Sequence, residues 1–508
     1  MTLLQLFLSR RAALLPAFFF CLLAGAQTQP PADLAAQSQR VKELMAAGRF
    51  DEAIPICKKL VAAMPGNSGL LLNLALAQHM AGHEREAAAN FEIVLKSEPK
   101  SLPALLSLGA ARMTLNEPQL ALPALRKAVL YYPNDREARG MLADALLEMG
   151  NLTEAAEQYR KLADASPDDP RAWYGLGKAY EAMAGSAFER LQKINPQSAW
   201  VSALIADSRV QVQQYRSAFF FYKEALKQLP NLHGLHAAMA ELYRKTGHPD
   251  WAAAEDAKER ALPSPDCKLH AAECAFIGGH DLQATTLPAT PAPSAEALYW
   301  QAKAANELAL QTFFRLGQLP PSVELHRLRA EIARNSRQPG EAVKEWRAAL
   351  QLAPNDPQLR QELALSLFMA QDYKGALEEA TALLKLAPKS PELNFLAGDS
   401  LLRLEQPEKA IPYLRAALAG DPGMLPADAS LGLALFRVGK TAEAVAHLEK
   451  SEQLDEDGSL HYQLSRAYQS SGQAEKARTA MAKYQEIVKR NEQAKAELER
   501  ETQIAPPQ

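Results

Sequence analysis

Two stretches of the chain, AFFFYKEALKQLP at residues 218–230 and AVKEWRAALQLAP at residues 342–354, follow one pattern. Each begins with alanine, places an aromatic residue four positions later, returns to alanine after three more positions and ends in proline. Good helix formers fill most of the other positions, and proline ends a helix because it has no backbone N–H to continue the hydrogen-bond ladder. Each stretch is therefore predicted to be one short helix that ends near its proline.

The same pattern recurs along the chain at a fixed interval. Prolines are spaced 34 residues apart in two series, and an alanine stands twelve residues before each of them. A period of this length, in a chain rich in helix formers, indicates one helical hairpin repeated many times. The prolines are Pro65, Pro99, Pro133, Pro167, Pro354, Pro388 and Pro422, and the alanines are Ala53, Ala87, Ala121, Ala155, Ala342, Ala376 and Ala410.

These positions match the contacts inside a helical hairpin. Two antiparallel helices approach most closely where a side chain is small, which explains the alanine, and a bulky residue one turn later fills the space towards the next hairpin. The layout resembles the tetratricopeptide repeat family, whose first helix is matched most fully by Trp173, Leu176, Gly177 and Tyr180. The resemblance covers about thirteen units between residues 34 and 493. It implies an all-α fold, an α-solenoid that forms a right-handed superhelix of antiparallel helix hairpins.

Two departures from the period divide the chain. The interval from Pro167 to Pro196 is only 29 residues, so one long helix is predicted where a hairpin turn is missing. Periodicity also fades around a stretch that contains Pro288, Pro291 and Pro293. We therefore expect an N-terminal array over residues 34–263, an irregular joint over 264–297, a C-terminal array with a capping helix over 298–493 and a polar tail over 494–508. A continuous superhelix across the joint is the alternative.

The abbreviated form of the repeat occurs twice. Residues 177–191 align with residues 302–316, and the repeats that follow each of them also match. Duplication of a block of several repeats is the simplest explanation.

The N-terminus has the layout of a secretory signal peptide. Arg10 and Arg11 precede an apolar run over residues 12–23, and the small residues Ala24, Gly25 and Ala26 follow. The signal peptide would direct the chain to the periplasm or the exterior. Cleavage after Ala26 would then leave a short linker over residues 27–33. An uncleaved membrane anchor is the alternative, although the run is shorter than the roughly 20 residues that span a bilayer. No later stretch is apolar enough, so no membrane span is predicted in the mature chain.

Composition and motifs exclude several classes of function. The formal charge is −3, with 56 basic and 59 acidic residues interspersed, so a nucleic-acid partner is not expected. The sequence contains no HExxH helix, no GxSxG elbow, no glycine-rich phosphate loop and no paired cysteine knuckles. The chain is therefore predicted not to be an enzyme and to need no cofactor or metal.

Cysteines and histidines cluster next to the joint, at Cys267, His270, Cys274 and His280. In an oxidising compartment, the pair Cys267 and Cys274 is a candidate disulfide that closes a small loop. Seven residues of regular helix would hold the two cysteines roughly 10 Å apart, so the bridge requires a turn near Cys267. Two free thiols, or a zinc site, remain as alternatives.

The family resemblance implies a binding site on the concave face, which the first helices of the hairpins line. Its groove-facing positions predict an apolar strip with aromatic residues in the C-terminal array, unless the register is shifted and these side chains are interior. Exposed apolar strips of this kind usually mark interaction sites. The predicted groove residues are Leu365, Phe368, Phe395, Asp399, Leu402, Leu433, Phe436 and Tyr462.

The function expected from these features is that of an exported, non-enzymatic scaffold. It would bind a protein or peptide in the groove while an envelope or secreted complex is assembled. The alternatives are a regulatory or targeting arm for a separate enzyme and a carbohydrate-binding solenoid.

Overall fold

The computed structural model describes residues 32–285 and 294–507. Within these ranges the chain forms 26 α-helices and one short 3-10 helix, with no strand. The all-α repeat fold predicted from the sequence is confirmed. The signal peptide and most of the linker predicted over residues 27–33 lie outside the described residues, as does most of the proline-rich stretch of the joint.

The helices follow one another with short connections. Their bounds are α1 Ala32–Ala46, α2 Phe50–Ala63, α3 Ser68–Ala81, α4 Glu84–Ser97, α5 Leu102–Thr114, α6 Pro118–Tyr131, α7 Arg136–Glu148, α8 Leu152–Ala165, α9 Pro170–Ile194, α10 Ala199–Gln211, α11 Tyr215–Gln228, α12 Leu235–Lys245, α13 Pro249–Ala261, α14 Ala271–Ile277, α15 Asp281–Thr285, α16 Ala295–Gly317, α17 Val323–Asn335, α18 Pro339–Leu352, α19 Pro357–Met369, α20 Tyr373–Leu384, α21 Pro391–Arg403, α22 Pro407–Gly420, α23 Leu425–Arg437, α24 Thr441–Lys450, α25 Ser459–Ser470 and α26 Ala474–Glu501. The 3-10 helix is Glu452–Leu454. None of the described helices combines the length and the apolar character that a membrane span needs.

Contacts group the chain into two compact units, and each unit contains two separate segments. Among the described residues, the first unit holds those up to Ala187 together with Cys267–Leu325, and the second holds Phe188–Asp266 together with the residues from His326 onward. This grouping does not follow the linear order of the two predicted arrays, because α16 shares an apolar core with α7, α8 and α9. The bounds of the arrays and of the joint stay predictions.

The repeated alanines and glycines lie where the two helices of a hairpin meet. Ala121 and Ala410, for example, are completely buried. The first helix approaches through a glycine: a Cβ atom built at Gly109 would lie 2.4 Å from Cδ2 of Leu125, and one built at Gly398 would lie 2.7 Å from Cγ of Leu414. The small residues therefore set the distance between helices in both units.

The two copies of the abbreviated repeat are both long helices. The helix α9 has 25 residues, as the short proline interval predicts, and α16 has 23. In the first unit they share one core, which contains Tyr180 and Met183 from α9 and Ala305 and Ala309 from α16. The backbone of Gly177 also packs against the ring of Phe313, since a Cβ atom there would lie 2.2 Å from the ring.

The last helix, α26, includes the first residues of the stretch predicted to be a polar tail. The predicted polar tail begins at residue 494, yet α26 continues to Glu501. The physical reason is that residues 494–501, AKAELERE, are strong helix formers. Only the residues after Glu501 leave the helix.

Candidate peptide-binding site

The predicted groove is formed by the first helices of four consecutive hairpins in the second unit. The helices α19, α21 and α23 each contact the next first helix in the series, so α19, α21, α23 and α25 lie side by side. Groove-facing positions recur on these first helices because the helices have nearly the same length, 13 residues in α19, α21 and α23 and 12 in α25.

Most of the predicted apolar strip has one side packed on the core and one side accessible. Leu365 and Phe368 rest against a buried cluster that includes Ala380 and Leu396, and the Phe368 ring meets the Tyr373 ring at 5.3 Å. The other half-buried members of the strip, which rest against neighbouring clusters, are Phe395, Leu433 and Phe436.

Two of the predicted groove residues are interior, which corrects that part of the prediction. Leu402 is only 3% exposed and lies in the core with Leu414 and Leu431. Asp399 is 4% exposed, and its carboxylate accepts a hydrogen bond of 2.8 Å from the Ser430 hydroxyl. Asp399 thus joins α21 to α23 and does not face a ligand.

An arginine that the sequence analysis missed completes the accessible end of the strip. The Arg466 guanidinium lies 5.6 Å from the centre of the Phe436 ring and 6.0 Å from that of Tyr462. Tyr462 is 39% exposed, and its ring also meets the ring of Tyr484 from α26 at 5.5 Å. We refer to Phe436, Tyr462, Arg466 and Tyr484 as the aromatic patch.

The helix α25, which carries Tyr462 and Arg466, is fixed at its N-terminus and on its inner side. The Asp455 carboxylate accepts hydrogen bonds from the backbone N–H groups of Leu460 and His461, at 3.0 and 2.8 Å. The Tyr468 hydroxyl donates to the Glu449 carboxylate at 2.5 Å, and this bond lowers the pKa of Glu449. Burial raises the pKa of Tyr468. The patch therefore sits on a well-anchored helix.

The charges along the strip differ between its two ends. On α17 the Arg334 guanidinium forms an ion pair of 2.6 Å with Glu362, so that its charge is neutralised locally. Within the part of the chain that the structure describes, Arg466 forms no salt bridge, and its guanidinium lies over the two rings. A guanidinium held against aromatic rings keeps its planar donor edge available for a carboxylate.

Only part of this patch could have been recognised from the sequence. Tyr462 and Arg466 are four residues apart, which places them on the same face of a helix. Tyr484 belongs to another helix, and no local spacing connects it to Tyr462. The missed signal was thus the arginine one turn after a predicted groove tyrosine.

The cysteines next to the joint form a disulfide. The sulfur atoms of Cys267 and Cys274 are bonded at 2.08 Å, and their Cα atoms are 5.5 Å apart. Because α14 begins at Ala271, the chain turns between the two cysteines, as the bridge requires. A zinc site with these two thiolates is therefore not formed in this structure.

Histidine and carboxylates meet beside the disulfide. Nδ1 of His270 lies 2.6 Å from Oε1 of Glu296, and the ligand atoms of His270, Glu273 and Glu296 all lie within 4.8 Å of one another. These are the residues of this region that could hold a metal ion. Glu273 and Glu296 each occupy the first turn of a helix, where a carboxylate is favoured without any metal. The arrangement is therefore explained by the helix ends.

The stacked hairpins and the half-open apolar strip define a helical-repeat protein of the class that serves as interaction scaffolds. Family models described as tetratricopeptide repeat match residues 44–112, 106–170, 141–199, 293–423 and 395–459. The chain belongs to the tetratricopeptide repeat family.

Similar proteins match limited parts of the chain. Protein O-mannosyl-transferase TMTC1 of Homo sapiens is 28% identical over 160 residues, which cover 30% of this chain and 18% of that protein. The Vi polysaccharide export protein VexE of Salmonella typhi is 28% identical over 155 residues, which cover 30% of this chain and 22% of that protein. The chain thus spans about a fifth of the length of these curated relatives.

Several solved structures match this chain at low identity and low TM-score. MamA from Desulfovibrio magneticus RS-1, from residue 41 to its end, is 24% identical with a TM-score of 0.30, over 33% of this chain and 96% of that chain. A tetratricopeptide repeat protein from Parabacteroides merdae is 15% identical with a TM-score of 0.31, over 66% of this chain and 100% of that chain. These likenesses concern the fold alone.

Proposed function

We propose that this chain is an exported, non-enzymatic scaffold that binds a protein or peptide at the aromatic patch while an envelope or secreted complex is assembled. The observation that carries the proposal is the position of Arg466 against Phe436 and Tyr462, without a salt bridge among the described residues. Packing within the chain does not use these side chains fully, because the Arg466 charge, the Tyr462 ring and part of the Phe436 ring face solvent.

The chemistry of the patch indicates what the ligand contributes. Half-buried Phe436 and exposed Tyr462 offer apolar area for an aliphatic or aromatic side chain. Arg466 can hold a carboxylate next to that side chain through two parallel N–H···O bonds. The expected ligand is therefore a peptide segment that places an acidic residue, or a terminal carboxylate, beside an apolar residue.

A capture experiment tests this proposal directly. The wild-type chain and the double variant Phe436→Ala/Arg466→Glu are used as bait with the envelope or secreted fraction of the source cells. We expect a protein that the wild type retains and the variant loses, with its Kd raised at least about thirtyfold, because central aromatic and arginine contacts typically contribute about 2 kcal/mol or more.

The matched control is Arg347→Glu, which reverses the charge of an exposed arginine on the second helix α18. That variant should bind like the wild type. Equal binding by all three chains, each with unchanged helical circular dichroism, would show that the patch is not the binding site.

A carbohydrate ligand is the second candidate. It is favoured by the exposed ring of Tyr462, since sugars stack on aromatic faces, and by the names of the two curated relatives, one a mannosyl-transferase and one a polysaccharide export protein. If the bait retains no protein, binding of a mannan and of an anionic polysaccharide to the same three chains distinguishes this candidate from the first.

Export is tested separately at the N-terminus. We expect the chain recovered from the extracytoplasmic fraction to begin at Gln27, because the apolar run ends in the small residues that signal peptidase requires at its cleavage site. Intact-mass measurement identifies the first residue. A chain that begins at Met1 and stays with the membrane would instead establish the uncleaved anchor.

A further inference from the structure

The C-terminal end of the chain docks on a helix that lies far away in sequence. The Tyr243 hydroxyl on α12 donates a hydrogen bond of 2.7 Å to the backbone carbonyl of Ala505, across 262 residues of sequence, and both residues belong to the second unit. The helix α26 ends at Glu501, and the next residue, Thr502, is buried and donates from its hydroxyl to the Leu498 carbonyl at 2.6 Å. The segment therefore leaves its own helix and is held elsewhere.

The tyrosine that holds the segment, Tyr243, belongs to a cluster of aromatic side chains. The Tyr243 ring meets Phe219 at 6.1 Å and Trp251 at 5.5 Å, and His248 meets Trp251 at 4.0 Å. We refer to these four residues as the Tyr243 cluster. Tyr243 is 2% exposed, and burial, with the Glu255 carboxylate as a second cause, raises its pKa to about 12. The hydroxyl therefore keeps its proton and remains a donor at physiological pH.

The hairpin α12–α13 departs from the repeat pattern at the positions that normally pack on a neighbour. One period after Tyr222 and Ala225 stand Asp256 and Glu259. Asp256 pairs with Arg244 at 2.8 Å, and Glu259 accepts hydrogen bonds from the N–H groups of Gly234 and Ala237. Asp256 and Glu259 thus form polar contacts with the two ends of α12. They cannot make the apolar contact with the next hairpin that a regular repeat makes at these positions.

The docked segment has the chemistry of an extended proline-rich ligand. Ala505 is followed by Pro506 and Pro507, and a residue before proline is kept extended while proline fixes its own φ. Residues 503–507 form no helix, and Ile504, Ala505 and Pro507 are half-buried. Extended proline segments bind aromatic surfaces at a low cost in conformational entropy, because they are already ordered.

We propose that the Tyr243 cluster is a second peptide-docking site, for an extended partner segment of the form apolar-Ala-Pro-Pro, and that the chain's own residues 503–507 occupy it until such a partner displaces them. This site is separate from the aromatic patch, shares no residue with it and does not depend on the function proposed above. The tethered tail is present at an effective concentration on the order of millimolar, so a partner competes with it directly.

The test uses a fluorescently labelled peptide with the sequence of residues 502–508, TQIAPPQ, and measures its anisotropy. We expect a chain that ends at Glu501 to bind this peptide at least tenfold more tightly than the full chain, because the tail no longer competes. Tyr243→Phe in the shortened chain should weaken binding about fivefold, since one hydrogen bond contributes about 1 kcal/mol. The peptide TQIAAAQ is the control and should bind weakly.

A second variant keeps the experiment decisive if the shortened chain does not fold. The full-length double variant Pro506→Ala/Pro507→Ala retains Thr502 and Ile504 but frees the backbone of the tail, so it should also expose the site to the labelled peptide. The proposal is overturned if a folded variant, with its tail removed or altered, shows no binding at millimolar peptide. It is equally overturned if TQIAAAQ binds as well as TQIAPPQ, since the tail would then be only a fixed cap.

Discussion

Replacing Trp346 by alanine is expected to lower the free energy of unfolding of the second unit by about 3–5 kcal/mol, the usual cost of deleting a buried aromatic side chain. Trp346 occupies the bulky position of its repeat on α18 and is 1% exposed. Hairpins of a repeat array pack mainly on their neighbours, so the cavity in α18 is expected to weaken its contacts with the adjacent helices.

Hydrogen exchange of the backbone amides measures this loss of stability helix by helix. Repeat arrays unfold in steps, so a single midpoint can average over several hairpins. We therefore expect the amides of α18 and of its neighbour α19 to lose protection most strongly, with an earlier loss of helical circular dichroism in urea. Unchanged protection in both helices would mean that Trp346 is not part of the packed core.

Trp346→Phe is the matched control and is expected to cost less than about 1 kcal/mol. Within the described residues, the buried indole N–H of Trp346 has no hydrogen-bond partner. A buried unsatisfied donor costs about 1–3 kcal/mol, and phenylalanine removes that donor while filling most of the volume. If phenylalanine destabilises the unit as much as alanine does, the indole N–H must have a partner after all.

Replacing Gly432 by alanine is expected to destabilise the second unit by about 2–3 kcal/mol, near the upper end of the usual range for overpacking. A Cβ atom at this position would lie 2.7 Å from Cγ of Leu448 and 3.1 Å from the Leu448 backbone nitrogen. The side chain of Leu448 could rotate, but its backbone cannot move without separating α23 from α24. Urea unfolding followed by circular dichroism measures the effect.

Gly340→Ala makes the same chemical change where there is room for it. Gly340 lies in the first turn of α18, and a Cβ atom there would meet no other atom within 4 Å. Alanine has the better helix propensity by roughly 1 kcal/mol in a helix interior, so this variant should be as stable as the wild type or slightly more stable. Equal losses from both substitutions would contradict the close approach of α23 and α24.

The sequence by itself determined the helices and the hairpins. Proline, alanine and aromatic residues recur at a 34-residue interval, and these signals act over one or two helix lengths. The long helix α9 followed from the short interval between Pro167 and Pro196 for the same reason. The close-approach glycines Gly109, Gly398 and Gly432 are also a local signal, since the leucine that each one meets lies in the next helix of the same hairpin.

Only the tertiary structure decided which repeated positions face a ligand. Asp399 and Leu433 occupy equivalent positions of neighbouring repeats, yet Asp399 is buried and accepts a hydrogen bond from the Ser430 hydroxyl on α23, the first helix of the next hairpin. The exposure of a groove residue therefore depends on the side chain that it meets in the neighbouring repeat. The repeat pattern does not predict which residue that is or whether the two form a hydrogen bond.

The contacts between distant segments were likewise decided by the tertiary structure. The core that α16 shares with α9 and the hydrogen bond from Tyr243 to Ala505 each join residues far apart in the chain. Helix formation depends on spacings of three, four and 34 residues, which a single sequence displays. Packing between remote segments depends on the shape of surfaces that exist only after the helices have formed.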